Sequence, residues 1–215
     1  MGRAMDRSEP LIYVVDDDAA VCDSLTLLLK SVSLKTQAYR SASEFLEHYD
    51  PRQHACLVAD IRMPGMSGLE LQAVLKRLGA PVPLIFITAY GDVPMAVDAM
   101  KSGAIDFIEK PFRDQHLLDR VHQALALDRQ RRADEEKVES IRKRLATLTP
   151  RESEVMQCVV RGQSNKVIAM DLGVSQRTVE IHRAHVMRKM GARSVAMLVS
   201  KVQSSQSDDS LIGDG

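Results

Sequence analysis

Four short apolar runs mark the first half of the chain, and each ends in polar residues. Leu11–Val15 runs into Asp16, Asp17 and Asp18, and Leu57-Val58-Ala59 runs into Asp60. Leu84–Ile87 runs into Thr88, and Ile105–Glu109 runs into Lys110-Pro111. Unbroken apolar runs of this length suit strands buried on both faces, as in a parallel sheet. Between them the apolar spacing turns helical. Val21, Leu25, Leu28, Leu29 and Val32 form one stripe; Leu71, Val74, Leu75 and Leu78 another; Met95, Ala96, Ala99 and Met100 a third. A weaker strand falls around Lys35–Tyr39. Ser41-Ala42-Ser43-Glu44 and Ser67-Gly68-Leu69-Glu70 are capping boxes that open helices, and Asp92 caps a helix with Pro94 in its first turn. Asp50-Pro51, Gly79-Ala80-Pro81 and Ser102-Gly103 stop the preceding helices. The β-α alternation repeats five times. It predicts a doubly wound, five-stranded parallel sheet of order 2-1-3-4-5 with helices on both faces.

The second half has no strand pattern. From Asp114 to Ala146 there is no Gly or Pro, and Leu117, Val121, Leu125, Val138, Ile141 and Leu145 are spaced for one stripe. This predicts a last α/β helix continuing into a helical linker over 128–146, with a break in its middle or a flexible linker as alternatives. Thr149-Pro150-Arg151-Glu152 opens a new helix with an N-cap, a first-position Pro and a third-position Glu. Gly162 ends it. Ser164 caps a short helix that Gly173 closes, Ser175 caps a third helix to about Met190, and Ser194 caps a fourth. A short helix, a Gly turn and a capped helix make a helix-turn-helix within an all-α, four-helix domain.

The expected divisions are a flexible leader at 1–10, an α/β domain at 11–127, the linker at 128–146, the helical domain at 147–203 and a disordered polar tail at 204–215. Charge sharpens them. The 215 residues sum to zero net charge, but 1–126 hold 13 Lys+Arg against 17 Asp+Glu, while 143–203 hold 11 against 4. An acidic part joined to a basic part suggests that the second meets a polyanion. No apolar run reaches the ~20 residues that span a bilayer, so no membrane role is expected. The N-terminus lacks a signal-peptide core. Cys22, Cys56 and Cys158 are odd in number and lack metal spacing, which fits reduced thiols and a cytoplasmic setting.

In open parallel sheets, chemistry gathers at the carboxyl ends of strands. Asp16, Asp17, Asp60, Thr88 and Lys110 would share one edge there. Several carboxylates in one place need positive charge, and a hard cation such as Mg²⁺ takes oxygen ligands. The set Asp16/Asp17, Asp60, Thr88, Phe107 and Lys110-Pro111, in this order from Leu11 to Leu127, resembles the receiver domain of bacterial two-component response regulators, the FixJ branch in particular. The resemblance implies that Asp60 accepts a phosphoryl group from a sensor histidine kinase. It implies Mg²⁺ held by Asp16, Asp17, Asp60 and the backbone carbonyl of Arg62. It gives Lys110 a charge-stabilising role, makes Thr88 and Phe107 a switch pair, and often goes with a cis Lys-Pro bond. It leaves Tyr90 without a role. In that branch the phosphorylated receiver dimerises through the fourth helix and fifth strand, here Val93, Met95, Ala96, Met100, Ile105 and Phe107.

Leu148-Thr149-x-Arg151-Glu152, Asn165-Lys166-x-Ile168-Ala169 and Thr178-Val179-x-x-His182 make the stretch 148–202 similar to the LuxR/NarL/FixJ DNA-binding domain. On the third helix, Val179, Val186 and Met190 should pack inward. Arg177, Glu180, Ile181, Ala184 and Arg188 lie on the opposite face, as a major-groove reader would require. Arg177 suits guanine, Glu180 cytosine and Ile181 a thymine methyl. Ser164, Asn165, Lys166 and Thr178, near helix N-termini, suit phosphates. His182 and His185 read as packed or phosphate-contacting residues; no thiol or carboxylate joins them to suggest zinc.

Together these readings give a cytoplasmic, phosphorylation-controlled transcription regulator, an activator working on promoter DNA with RNA polymerase. It is not an enzyme beyond slow self-dephosphorylation. A phosphohydrolase would want a second acid two residues after Asp60, where Arg62 stands, and no G-x-G-x-x-G follows the first strand. The alternative is an interaction protein whose second domain binds RNA or protein.

Overall fold

The computed structural model describes residues 9–80, 82–89 and 91–206. The expectations for the leader through residue 8, for Tyr90 and for the tail from 207 lie outside them. The chain divides into two compact units, Met1–Arg131 and Arg132–Gly215.

In the first unit, β1 (Leu11–Val15), β2 (Lys35–Tyr39), β3 (Ala55–Asp60), β4 (Leu84–Thr88) and β5 (Asp106–Glu109) form one sheet in the order β2-β1-β3-β4-β5. Every neighbouring pair is parallel. The five residues of β1, six of β3 and five of β4 are all buried, as their unbroken apolar character requires. The two edge strands are short and more polar: Lys35-Thr36-Gln37 lie on β2, and Asp106 and Glu109 bound β5.

Alternate strand residues feed two cores. On one face Tyr13, Leu57 and Phe86 meet Phe45 of α2 (Ala42–His48), Leu71 and Leu75 of α3 (Gly68–Arg77) and Ala99 of α4 (Val93–Lys101). On the other, Val14, Val58 and Ile85 meet Leu25 and Leu29 of α1 (Ala19–Ser31) and Leu117 and Val121 of α5 (Asp114–Leu145). The caps read from sequence form: Ser41 accepts from Glu44 N, Asp92 accepts from Met95 N, and Ser67 and Glu70 close a reciprocal capping box.

The linker is helical, as α5 runs from Asp114 to Leu145 without a break. The division into units falls within it, past the expected domain end at 127. Asp128, the first residue of the expected linker, is buried.

In the second unit, α6 (Pro150–Val160), α7 (Asn165–Leu172), α8 (Gln176–Met190) and α9 (Val195–Gln206) enclose a core of Val155, Val159, Ile168, Val179, Val186, Met190 and Leu198. Ile141 and Leu145 pack against it. Gly173 and Gly191 end α7 and α8 at φ 66° and 58°, left-handed conformations that favour glycine. Helix α9 extends to Gln206, beyond the expected start of a disordered tail at 204.

Candidate functional site

The carboxyl ends of β1, β3 and β5 converge as the sheet order requires. Asp60 ends β3 and is 8% exposed, and Asp16 follows β1 at 4%. Lys110, just after β5, places its Nζ 2.8 Å from Asp16 Oδ2 and 3.3 Å from Asp60 Oδ1. The Arg62 N–H donates to Asp60 Oδ2 at 2.6 Å, and the Asp18 N–H donates to Asp16 Oδ1 at 2.9 Å. The Lys110-Pro111 peptide bond is cis.

Burial pushes the Asp60 carboxyl above its ordinary range. Lys110 and the Arg62 N–H pull it down, and Asp16 adds to the rise; burial wins. Burial acts against the Lys110 ammonium as well, but its bonds to Asp16 and Asp60 outweigh that and raise its pKa. The result is a lysine held as a cation beside a carboxylate that is incompletely neutralised.

Backbone close to Asp60 is tightly packed. A Cβ on Gly68 would fall 2.3 Å from the Asp60 carbonyl oxygen and 2.9 Å from the Phe86 ring, so only glycine fits there. The Gly68 N–H donates to the Ile61 carbonyl. Thr88 ends β4 at 1% exposure, and Phe107 on β5 is half-buried. A Cβ on Gly91 would lie 2.7 Å from the Phe107 ring and 3.3 Å from Thr88 Cγ2. Thr88 and Phe107 therefore both lie against Gly91. Gly91 went unnoticed in the sequence because a single Gly after a strand carries no specific signal.

Asp17 is exposed, and Arg40 donates to its backbone carbonyl. Among the described residues, no three of His, Cys, Asp and Glu are grouped to hold a metal ion. The donor set nevertheless suits a hard cation, since Asp16 and Asp60 present two buried carboxylates with the Arg62 carbonyl nearby in sequence.

The second unit presents the expected split. Arg177, Glu180, Ile181, Ala184 and Arg188 of α8 are exposed, while Val179, Val186 and Met190 are buried. Arg177 pairs with Glu180 at 3.3 Å. Ser164 and Lys166 are exposed at the start of α7, and Ser164 caps it through Val167 N. Thr178 donates its N–H to Ser175, the cap of α8. Asn165 Oδ1 accepts from Arg183 at 2.8 Å, a contact between α7 and α8 that sequence spacing did not reveal. His185 faces Glu152 at 3.5 Å, a bond within the fold and not a metal contact.

A five-stranded receiver-type sheet with a Lys-braced acidic pocket, followed by a helix-turn-helix unit, defines a class. Residues 12–122 match the response regulator receiver domain, and residues 146–202 match the bacterial regulatory proteins of the LuxR family. The chain belongs to the response regulators that join these two domains, the transcriptional regulators of two-component systems. Nodulation protein W of Bradyrhizobium diazoefficiens is 48% identical over 192 residues, covering 89% of this chain and 85% of that protein. The transcriptional regulatory protein FixJ of Azorhizobium caulinodans is 46% identical over 188 residues, covering 87% and 89%. Among solved structures, the response regulator StyR is similar at 46% identity and a TM-score of 0.84, over 91% of this chain and 99% of that one. Among the described residues no helix is long and apolar enough to cross a membrane.

Proposed function

We propose that Asp60 is the phosphoacceptor. The observation that carries this is the bridge of Lys110 Nζ to Asp16 and Asp60 at 2.8 and 3.3 Å. A carboxylate oxygen of Asp60 attacks the phosphorus of a phosphohistidine on the sensor kinase. The P–N bond breaks, the electron pair stays with the imidazole, and an acyl phosphate remains on Asp60. Lys110 is positioned to meet the negative charge on the transferring oxygens. Mg²⁺ held by Asp16, Asp17, Asp60 and the Arg62 carbonyl would neutralise the remaining charge. Beyond slow self-dephosphorylation the chain performs no catalysis of its own.

Thr88 and Phe107 relay the change. Thr88 turns its hydroxyl to the phosphoryl group, and the Phe107 ring turns inward to fill the space the hydroxyl leaves. The face they adjoin is apolar: Val93, Val97 and Met100 of α4 are exposed. Such a surface suits a dimer formed on phosphorylation. The helix-turn-helix unit, from about 147, binds promoter double-stranded DNA in the cytoplasm and activates RNA polymerase. Arg177, Glu180, Ile181, Ala184 and Arg188 face the bases. Ser164, Lys166 and Thr178 face phosphates, as does the Asn165 amide nitrogen, whose carbonyl Arg183 occupies.

Incubation with a small phosphodonor and Mg²⁺ tests the core of this reading. One phosphoryl group should add to the intact mass, and none to Asp60→Asn. Unchanged uptake by that variant overturns the assignment.

A further inference from the structure

Helix α5 carries a buried stripe of Leu117, Val121, Ala124 and Leu125 against the sheet. The next position of that stripe, three to four residues on, is Asp128, which is 1% exposed. Leu127 beside it is exposed. A carboxylate thus stands where helical spacing calls for an apolar side chain. It accepts from His54 Nδ1 at 2.8 Å, from the Ala55 N–H at 3.2 Å and from Arg131 at 2.6 Å. His54 is itself 5% exposed, and its Nε2 is buried without a hydrogen-bond partner. The ring is therefore fixed from its Nδ1 side. Burial first, and the charge of Asp128 second, push the Cys56 thiol well above its usual value, so the carboxylate is felt inside β3.

We propose that His54, Asp128 and Arg131 form a clasp. It holds α5 to the receiver for a turn beyond the last buried leucine, and the response of the second unit to phosphorylation depends on it. Apolar burial is non-directional, and a leucine at 128 would fill the same space. A carboxylate gripped by a ring nitrogen, a strand N–H and a guanidinium fixes the rotation of the helix as well. Removing a donor leaves a buried charge uncompensated, so the clasp opens as a unit. It also sits on the strand that matters: His54 directly precedes, and Ala55 begins, the six residues of β3 that end at Asp60. The base of that strand and the start of the segment leading out of the receiver are thereby one structure. The dependence on phosphorylation rests on the function proposed above; the clasp itself does not.

Amide hydrogen exchange on the full chain tests it, with wild type, Asp128→Ala, His54→Leu and His54→Asn compared. In Asp128→Ala and His54→Leu, amides over 126–135 should exchange at least tenfold faster, with those of β1, β3 and β4 within twofold of wild type. Phosphoryl uptake should stay within twofold, while the gain in DNA affinity on phosphorylation falls at least tenfold. His54→Asn places an amide N–H near the Nδ1 position and lacks the unpartnered Nε2, so it should behave as wild type. If Asp128→Ala fails to fold, Asp128→Asn, which keeps an acceptor for Ala55 but loses the charge facing Arg131, takes its place. Faster exchange across the whole sheet would make Asp128 a core residue and nothing more. Unchanged exchange at 126–135, or an undiminished gain in DNA affinity, also overturns the proposal. A wild type that takes up no phosphoryl group sinks the functional reading and the coupling with it, while exchange still decides whether the clasp holds α5.

Discussion

Both units bury a carboxylate against a lysine, and Asp60 and Glu152 are tuned in opposite directions. Asp60 is 8% exposed with Lys110 at 3.3 Å; Glu152 is 4% exposed with Lys189 at 2.6 Å. Burial raises Asp60 because its lysine is shared, lying closer to Asp16. Glu152 is pushed down to about 2, first by the Lys189 bond and then by the Thr149 N–H. It is the third-position Glu of the α6 capping box, and Lys189 also donates to the Thr147 carbonyl. Glu152 is thus a staple between α6 and α8 with its acceptor capacity used. Asp60 keeps unspent acceptor capacity, as a group meant to bond something else must. Of these two buried acids, Asp60 is the one left less satisfied.

The contrast can be broken or sharpened by substitution. The largest effect is expected from Gly68→Ala, which sets a methyl 2.3 Å from the Asp60 carbonyl oxygen. Backbone cannot yield as a flexible side chain can, so urea denaturation should show a loss of about 3 kcal/mol in the receiver. An unchanged midpoint would mean that the backbone at Asp60 is not held by close approach.

Glu152→Gln comes next. A carboxyl lowered in the folded state stabilises it above the ordinary carboxylate range, and that contribution is lost as pH falls towards about 2. Calorimetry of the full chain should show the transition of the second unit dropping between about pH 5 and pH 2. In Glu152→Gln it should melt lower at neutral pH and respond less to acid. A variant that melts like wild type at pH 7 would make Glu152 no staple.

Asp60→Asn should move the other way. A carboxyl raised in the folded state favours folding most when protonated, so its contribution is present below the ordinary range and lost as pH rises through the folded value. The variant should therefore be more stable than wild type at neutral pH, on the order of 1 kcal/mol. The gain should vanish in acid. A destabilised Asp60→Asn at pH 7 would contradict the tuning.

The smallest effect belongs to Ser67→Ala. It removes the acceptor for Glu70 N at an exposed capping box, and about 0.5 kcal/mol is the scale expected. A loss as large as that of Gly68→Ala would mean that the cap and not the glycine orders the backbone after Asp60.

The sheet was legible because burial on both faces leaves unbroken apolar runs, and its order followed from the repeated crossovers. Asp16, Asp60, Thr88 and Lys110 were legible because strand ends of a parallel sheet share an edge. The exposed face of α8 followed from helical spacing alone. Three features were not legible. Asp128 lies in a run of charges that reads as solvated, although its spacing from Val121 and Leu125 places it on the buried stripe. Arg183 meets Asn165 across two helices, a pairing that no local pattern records. Asp17 shares a run with Asp16, and nothing in the run tells that Asp16 is buried and Asp17 exposed.

The polar edge strands have a consequence for how copies of this protein can meet. An open sheet invites a further strand wherever its margin offers a long, apolar row of free amides and carbonyls. Here one margin is the five-residue Lys35–Tyr39 and the other the four-residue Asp106–Glu109, each short and bearing charge. Lengthening of the sheet from chain to chain, the route to fibrous aggregates, is discouraged at both margins. Any meeting of copies would fall to helix faces instead.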